Sequence, residues 1–174
     1  FWADKDSFAL VWNVPENART INLPHDAMLA EERNKDVLTG GASAYFDGGK
    51  YYYRKKLVLP EEWRNKTMIL TCEGVDQNAQ VSVNNQVITK WPYGYSGFYV
   101  DMTEHLSQTD ENIIEIIADN EKVPNSRWYS GGGVYREVNL LIAGQSYIKP
   151  EGVRVTTTEN GQVQVLTDIV GEGD

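Results

Sequence analysis

PNSRWYSGGGVYREV, residues 124–138, is the stretch around which the rest of the chain is read. Three consecutive glycines, Gly131, Gly132 and Gly133, carry a conformational-entropy cost. Only a required backbone shape offsets it, either a positive φ or a close approach to a neighbour. Arg127, Trp128 and Tyr129 stand just before them. They place a planar fork of donors and two flat rings beside a segment that can be packed closely. After them, residues 134–140 alternate and read as a strand. The stretch is then a loop bearing polar and aromatic side chains, anchored by a sheet, which is where binding groups usually sit. A second reading stands beside this one: a tight corner that closes a β-sandwich.

Outward from this loop the pattern is β throughout. Residues 51–59 (YYYRKKLVL) form a strand stopped by Pro60, and residues 67–73 form the next. Residues 79–84 alternate cleanly, and Asn84-Asn85 turns them as a hairpin into residues 86–90. Residues 98–101 make another strand. Residues 102–107 read as a single helical turn capped by Asp101 or Thr103. Residues 112–118 (NIIEIIA) read as a strand buried on both faces. Strands this short and this regularly spaced predict an all-β fold, a jelly-roll β-sandwich, with no long amphipathic helix to compete. Nearer the start, residues 19–23 read as a short strand and residues 31–49 as a long polar loop.

Past Gly144 the character changes. Residues 147–150 read as a connector, and residues 153–157 and 162–166 as a hairpin about Asn160-Gly161, a type I′ signal. A lone hairpin is marginal in water. Residues 1–145 are therefore expected to be one domain, the jelly roll. Residues 146–174 are expected to open a second, immunoglobulin-like sandwich that is cut short.

Composition narrows the partners. The 174 residues carry a formal net charge of −9, which argues against nucleic acid and anionic membranes. Five Trp and ten Tyr favour β structure and suit carbohydrate stacking. No apolar run approaches the ~20 residues of a membrane span, and no signal peptide is visible. The single cysteine, Cys72, reads as a buried thiol in a strand. No Cys/His cluster suggests zinc, no dense Asp/Asn run suggests calcium, and no phosphate-cradling loop is present, so neither metal nor cofactor is expected.

Five segments, in order, carry a resemblance: LPHD at residues 23–26, YYRKKLVLPEEW at 52–63, EGVDQNAQVSVNNQ at 73–86, PYGYSGFYVDMTEHL at 92–106, and SRWYSGGGVYREV. Together they resemble the N-terminal sugar-binding domain of glycoside hydrolase family 2, the family of β-galactosidases and β-glucuronidases, across residues 23–148. The resemblance implies a parent enzyme in which this jelly roll is followed by an immunoglobulin-like domain and a (β/α)₈ barrel. Such an enzyme hydrolyses β-glycosides with retention, using two carboxyl groups about 5–5.5 Å apart. The barrel motifs have no counterpart in this chain, so no catalytic residue is assigned and the chain alone is expected to be inactive.

By the same resemblance the domain packs on its own barrel and lends loops to the rim of the active site. Asp47, Arg127 and Trp128 are the rim candidates; His25, Asp26, Tyr129 and Arg136 are the candidates for contact with the barrel. Classical members carry an aspartate where Arg127 falls. The guanidinium would pair bidentately with a sugar carboxylate, or serve a neutral galactoside as donor only. His25 beside Asp26 reads either as acid–base chemistry or as a structural pair under an aromatic. Tyr93 to Tyr95 read as a turn covering the sandwich or as a stacking surface. Trp63 and Trp91 read as packing at the edge of the core.

Three hypotheses follow for the parent: a β-galactosidase accessory domain, with glucuronidase and mannosidase as alternatives; a stand-alone carbohydrate-binding module; or a structural domain in a homo-oligomer. The form of the SRWY segment points to an extracytoplasmic enzyme.

Overall fold

The structure, a computed structural model, describes residues 1–4, 14–122 and 131–171. Among these, ten strands form: β1 (Trp2–Asp4), β2 (Lys50–Leu57), β3 (Thr67–Cys72), β4 (Ala79–Val83), β5 (Gln86–Trp91), β6 (Phe98–Asp101), β7 (Asn112–Asp119), β8 (Val138–Ala143), β9 (Tyr147–Thr157) and β10 (Val163–Val170). Four short 3₁₀ turns are the helical content of the described residues, and no helix there is long and apolar enough to cross a membrane. One sheet runs β1-β2-β7-β4-β5, a second runs β6-β3-β8, and β9 and β10 make a separate two-stranded ribbon. All pairings between strands are antiparallel. The chain is an all-β sandwich, as its alternation predicts.

The period of two explains the core. Tyr51 and Tyr53 of β2, Met68, Leu70 and Cys72 of β3, Val81 and Val83 of β4, Phe98 and Val100 of β6, and Ile114, Ile116 and Ala118 of β7 all enter one apolar cluster. Each large apolar side chain so buried contributes about 1.5–3 kcal/mol. The other face of β7 is covered too. Ile117 packs with Tyr52 and Ala18. Glu115, only 3% exposed, pairs with Arg54 of β2 at 2.8 Å and lies directly opposite it in the ladder. β7 is thus buried on both faces, one apolar and one holding an ion pair. Cys72 is buried, and the apolar surroundings push its thiol up to about 12.

The β4–β5 hairpin turns on Asn84 and Asn85, both with positive φ (49° and 67°). The Asn84 side chain also stitches the turn to the body. Its Nδ2 donates to the His105 carbonyl and to Asn112 Oδ1, and its Oδ1 accepts from the Ile113 amide. Asp101 Oδ1 accepts from the Thr103 amide, but Met102 holds the N-cap position of the turn Thr103–His105 with no side-chain cap, so neither Asp101 nor Thr103 caps it as the sequence predicts.

Four further expectations are corrected. Residues 19–23 form no strand, while β1, too short to show alternation, pairs with β2. The strand after the glycines begins at Val138, not Val134, because residues 131–134 are drawn off to bond elsewhere. Residues 147–150 are no connector but the first part of β9, which passes an irregularity where Glu151 takes φ +58°. The β9–β10 turn is not type I′. The Thr158 carbonyl accepts from Gly161, the Thr158 amide donates to the Gln162 carbonyl, and Gly161 takes φ +76° while Asn160 stays out of the left-handed region. That is a type I turn closed by a glycine bulge.

The ribbon presents one apolar face. Val155 lies opposite Val165, Val153 opposite Thr167, Thr157 opposite Val163 and Ile148 opposite Ile169. Each of the apolar members is exposed.

Candidate functional site

The glycine segment is held at one end of the sandwich by two parts of the chain far from it in sequence. The His25 amide donates to the Val134 carbonyl (2.7 Å) and the Ala27 amide to the Gly132 carbonyl (2.6 Å). Asp26 Oδ1 accepts from the Gly132 amide (3.1 Å) and from the Met28 amide (3.0 Å), so one carboxylate caps the turn Ala27–Ala30 and pins the glycines. From the other side, Gly133 and Asp76 exchange both backbone bonds at 2.9 Å. Gly133 has φ +98°, and a Cβ there would overlap the Tyr53 hydroxyl. A Cβ on Gly132 would come within 2.8 Å of both Tyr51 and Met28. The backbone shape and the close approach that the triplet implies are both present.

His25 and Asp26 do not bond to each other in this arrangement. His25 Nδ1 sits 3.0 Å from the Tyr53 hydroxyl, with the Phe1 ring 4.6 Å away centroid to centroid. Burial, then the nearby Arg19 cation, hold the His25 imidazole below its usual value. Burial likewise raises the Tyr51 and Tyr53 phenols, and Tyr51 donates to Glu31 Oε1 at 2.9 Å.

Asp47 is exposed, its carboxylate accepting from Asn34 Nδ2 at 3.2 and 3.3 Å. Its loop reaches the same end of the domain through buried Asn120. The Asn120 amide donates to the Gly49 carbonyl (2.8 Å), and Asn120 Nδ2 donates to the Gly131 carbonyl (3.1 Å). Arg136 is exposed and its guanidinium lies over the Tyr135 ring at 5.4 Å. Arg127, Trp128 and Tyr129 lie outside the described residues, between Lys122 and Gly131. Among the described candidates, the structure therefore gathers Asp26 and the Asp47 loop around the glycine segment.

One acid was missed by the sequence reading. Asp76 is 7% exposed, and burial, reinforced by the Asp26 charge, pushes its carboxyl up to about 6. Gly94 crosses over it so closely that a Cβ would overlap Asp76 Oδ1. The Tyr135 hydroxyl donates to the Gly94 carbonyl at 2.8 Å. Asp76 sits between Gly74 and Asn78 in what reads as an ordinary turn, and nothing local marks it as buried. The glycines at 94 and 133 were the available signal, since each permits a backbone to close over a neighbour. Among the described residues, no group of three or more His, Cys, Asp or Glu is placed to hold a metal.

Comparison with known proteins now assigns the fold a family. The family described as glycosyl hydrolase 2 galactose-binding domain-like matches residues 23–129. The chain belongs to that family. It is 32% identical over 160 residues to the β-galactosidase BoGH2A of Bacteroides ovatus, covering 90% of this chain and 19% of that protein. It is 28% identical over 151 residues to a β-glucuronidase of Bacteroides fragilis, covering 83% of this chain and 20% of that protein. A solved β-glycosidase from Bacteroides vulgatus superposes with a TM-score of 0.82 at 30% identity, covering 89% of this chain and 21% of that one. The chain thus spans about a fifth of the length of the relatives it matches. It corresponds to the N-terminal domain of a family 2 glycosidase.

Proposed function

We propose that this chain is the non-catalytic N-terminal module of a retaining β-glycosidase acting on β-galactosides. In this reading the glycine-segment end of the sandwich packs toward the catalytic barrel and forms part of the active-site rim. The observation that carries it is the convergence at that end of Asp26 and Asp76, bonded directly to Gly132 and Gly133, and of the Asp47 loop, tied to Gly131 through Asn120. Residues 126–129, with Arg127 and Trp128, lead directly into this segment and would be presented from it. His25, Asp26, Tyr129 and Arg136 would face the barrel. The similarity to a β-galactosidase supports the glycone, and the similarity to a β-glucuronidase keeps a uronide as the competing one. An extracytoplasmic site of action belongs to the same reading.

The test is to express the chain together with its downstream coding sequence and assay aryl β-galactoside and aryl β-glucuronide side by side. Faster turnover of the galactoside, with the β-anomer formed first by NMR, is the expected result. Inversion, or a preference for the glucuronide, would overturn the retaining or the galactoside reading respectively. The 174-residue chain by itself should turn over neither substrate. Activity in it that a single Glu→Gln change abolishes would show a catalytic residue inside the module.

A further inference from the structure

Residues 91–98, WPYGYSGF, are without a charged side chain in a molecule of net charge −9. Their aromatic residues divide in two. Phe98 is buried, and the Trp91 ring stacks on it at 5.7 Å and 25°. Tyr93 and Tyr95 face outward, 60% and 46% exposed, with their rings 5.7 Å apart and edge-to-face.

The loop that carries them is held at several points. The Tyr135 hydroxyl bonds to the Gly94 carbonyl between the two tyrosines. Trp91 Nε1 donates to Ser96 Oγ (3.2 Å), and the Asn78 amide donates to the Pro92 carbonyl (3.3 Å). Gly94 lies flat on the buried Asp76. The sandwich is therefore not what the two rings cover; a fixed backbone presents them to solvent.

We infer that Tyr93 and Tyr95 form a binding surface for a neutral pyranose ring, carried by the loop that packs on Asp76 next to the glycine segment. A pyranose has an apolar C–H face and a rim of hydroxyls. Exposed tyrosines match both, with a ring for the face and a phenol for the rim, and they lose little entropy when already held in place. A uronate is the disfavoured sugar, because residues 91–98 supply no cation and lie over the Asp76 carboxyl, while the neighbouring Arg136 guanidinium is engaged over the Tyr135 ring. The two readings are told apart by their readouts: this one is read as sugar binding by the 174-residue chain at Tyr93 and Tyr95, the rim as turnover by the longer protein.

The experiment is a titration of the 174-residue chain, labelled with 3-fluorotyrosine, with β-galactobiose, cellotetraose and methyl β-glucuronide, followed by ¹⁹F NMR. The Tyr93 and Tyr95 resonances are expected to move saturably with one or both neutral oligosaccharides and not with the glucuronide, while Tyr99 and Tyr147 stay still. Tyr93→Ala should weaken binding about three- to tenfold, the range expected for one lost ring contact, and Tyr93→Phe should retain it. The inference is overturned if the two resonances do not move, if only Tyr45 near Asp47 moves, or if the glucuronide shifts them equally. It is also overturned if the longer protein shields both rings from a soluble paramagnetic probe before any sugar is added, since its own chain then covers them.

Discussion

Gly133 carries two demands at once, a left-handed φ and no room for a side chain beside the Tyr53 hydroxyl. Gly133→Ala should destabilise the chain by about 2–4 kcal/mol, read as a lower urea midpoint. An unchanged midpoint would mean that the segment relaxes freely. Asp76 gives a pH signature. Its carboxyl is raised from an ordinary 3.8 to about 6 when folded, so the folded state binds the proton more tightly. The stability this contributes is complete below pH 3.8 and is lost as pH rises through about 6. Asp76→Asn should remove that loss, gaining on the order of 1–2 kcal/mol at pH 7.5 and little at pH 4. Thermal melts at the two pH values decide it. His25 works in the opposite sense. Its imidazole is held below 6.5, so stability is full above that value and declines as pH falls below it. At this scale little was legible beforehand. The glycine triplet announced a special backbone, whereas the burial of Asp76 depends on Gly133 and Gly94, which no local window joins to it.

Strands were more legible, for a physical reason. β4 and β5 alternate, and two asparagines fit the type I′ turn, which joins two strands without splaying them. β7 lacks alternation because Arg54 and Glu115 neutralise each other on what would be its wet face. β1 and the first part of β9 were missed because three residues, or a run interrupted at Pro150-Glu151-Gly152, carry no period. The hairpin also yields a graded expectation. Asn84→Gly keeps the left-handed turn but loses three side-chain bonds, costing about 1–3 kcal/mol. Asn84→Ala loses both and should cost more, by about 1 kcal/mol. Urea denaturation of the two variants separates turn geometry from stitching. Equal losses would mean that the bonds alone matter.

For the molecule as a whole, the β9–β10 ribbon is the outlier. The sandwich encloses its own core, while the ribbon leaves Val153, Val155, Val163 and Val165 in water. Two strands with an uncovered apolar face are poorly stable and prone to pair with another copy. Removing residues 146–174 should leave the melting temperature of the sandwich within about 3 °C of the parent's and reduce concentration-dependent association in sedimentation velocity. A collapse of the melt would instead make the ribbon integral to the sandwich. We propose that in a longer chain the strands of the immunoglobulin-like domain that the resemblance implies cover this face.

The lacing of Asp26 to Gly132 spans 106 residues of chain. A ribosome delivers those two residues seconds apart, so the amino-terminal LPHD segment emerges long before its partner exists. Until Gly132 clears the exit tunnel, the outer end of the nascent sandwich has nothing to close it, and the aspartate can cap only its own short turn. Closure of that end therefore waits on translation of the glycines, and β8 follows directly after them to complete the second sheet.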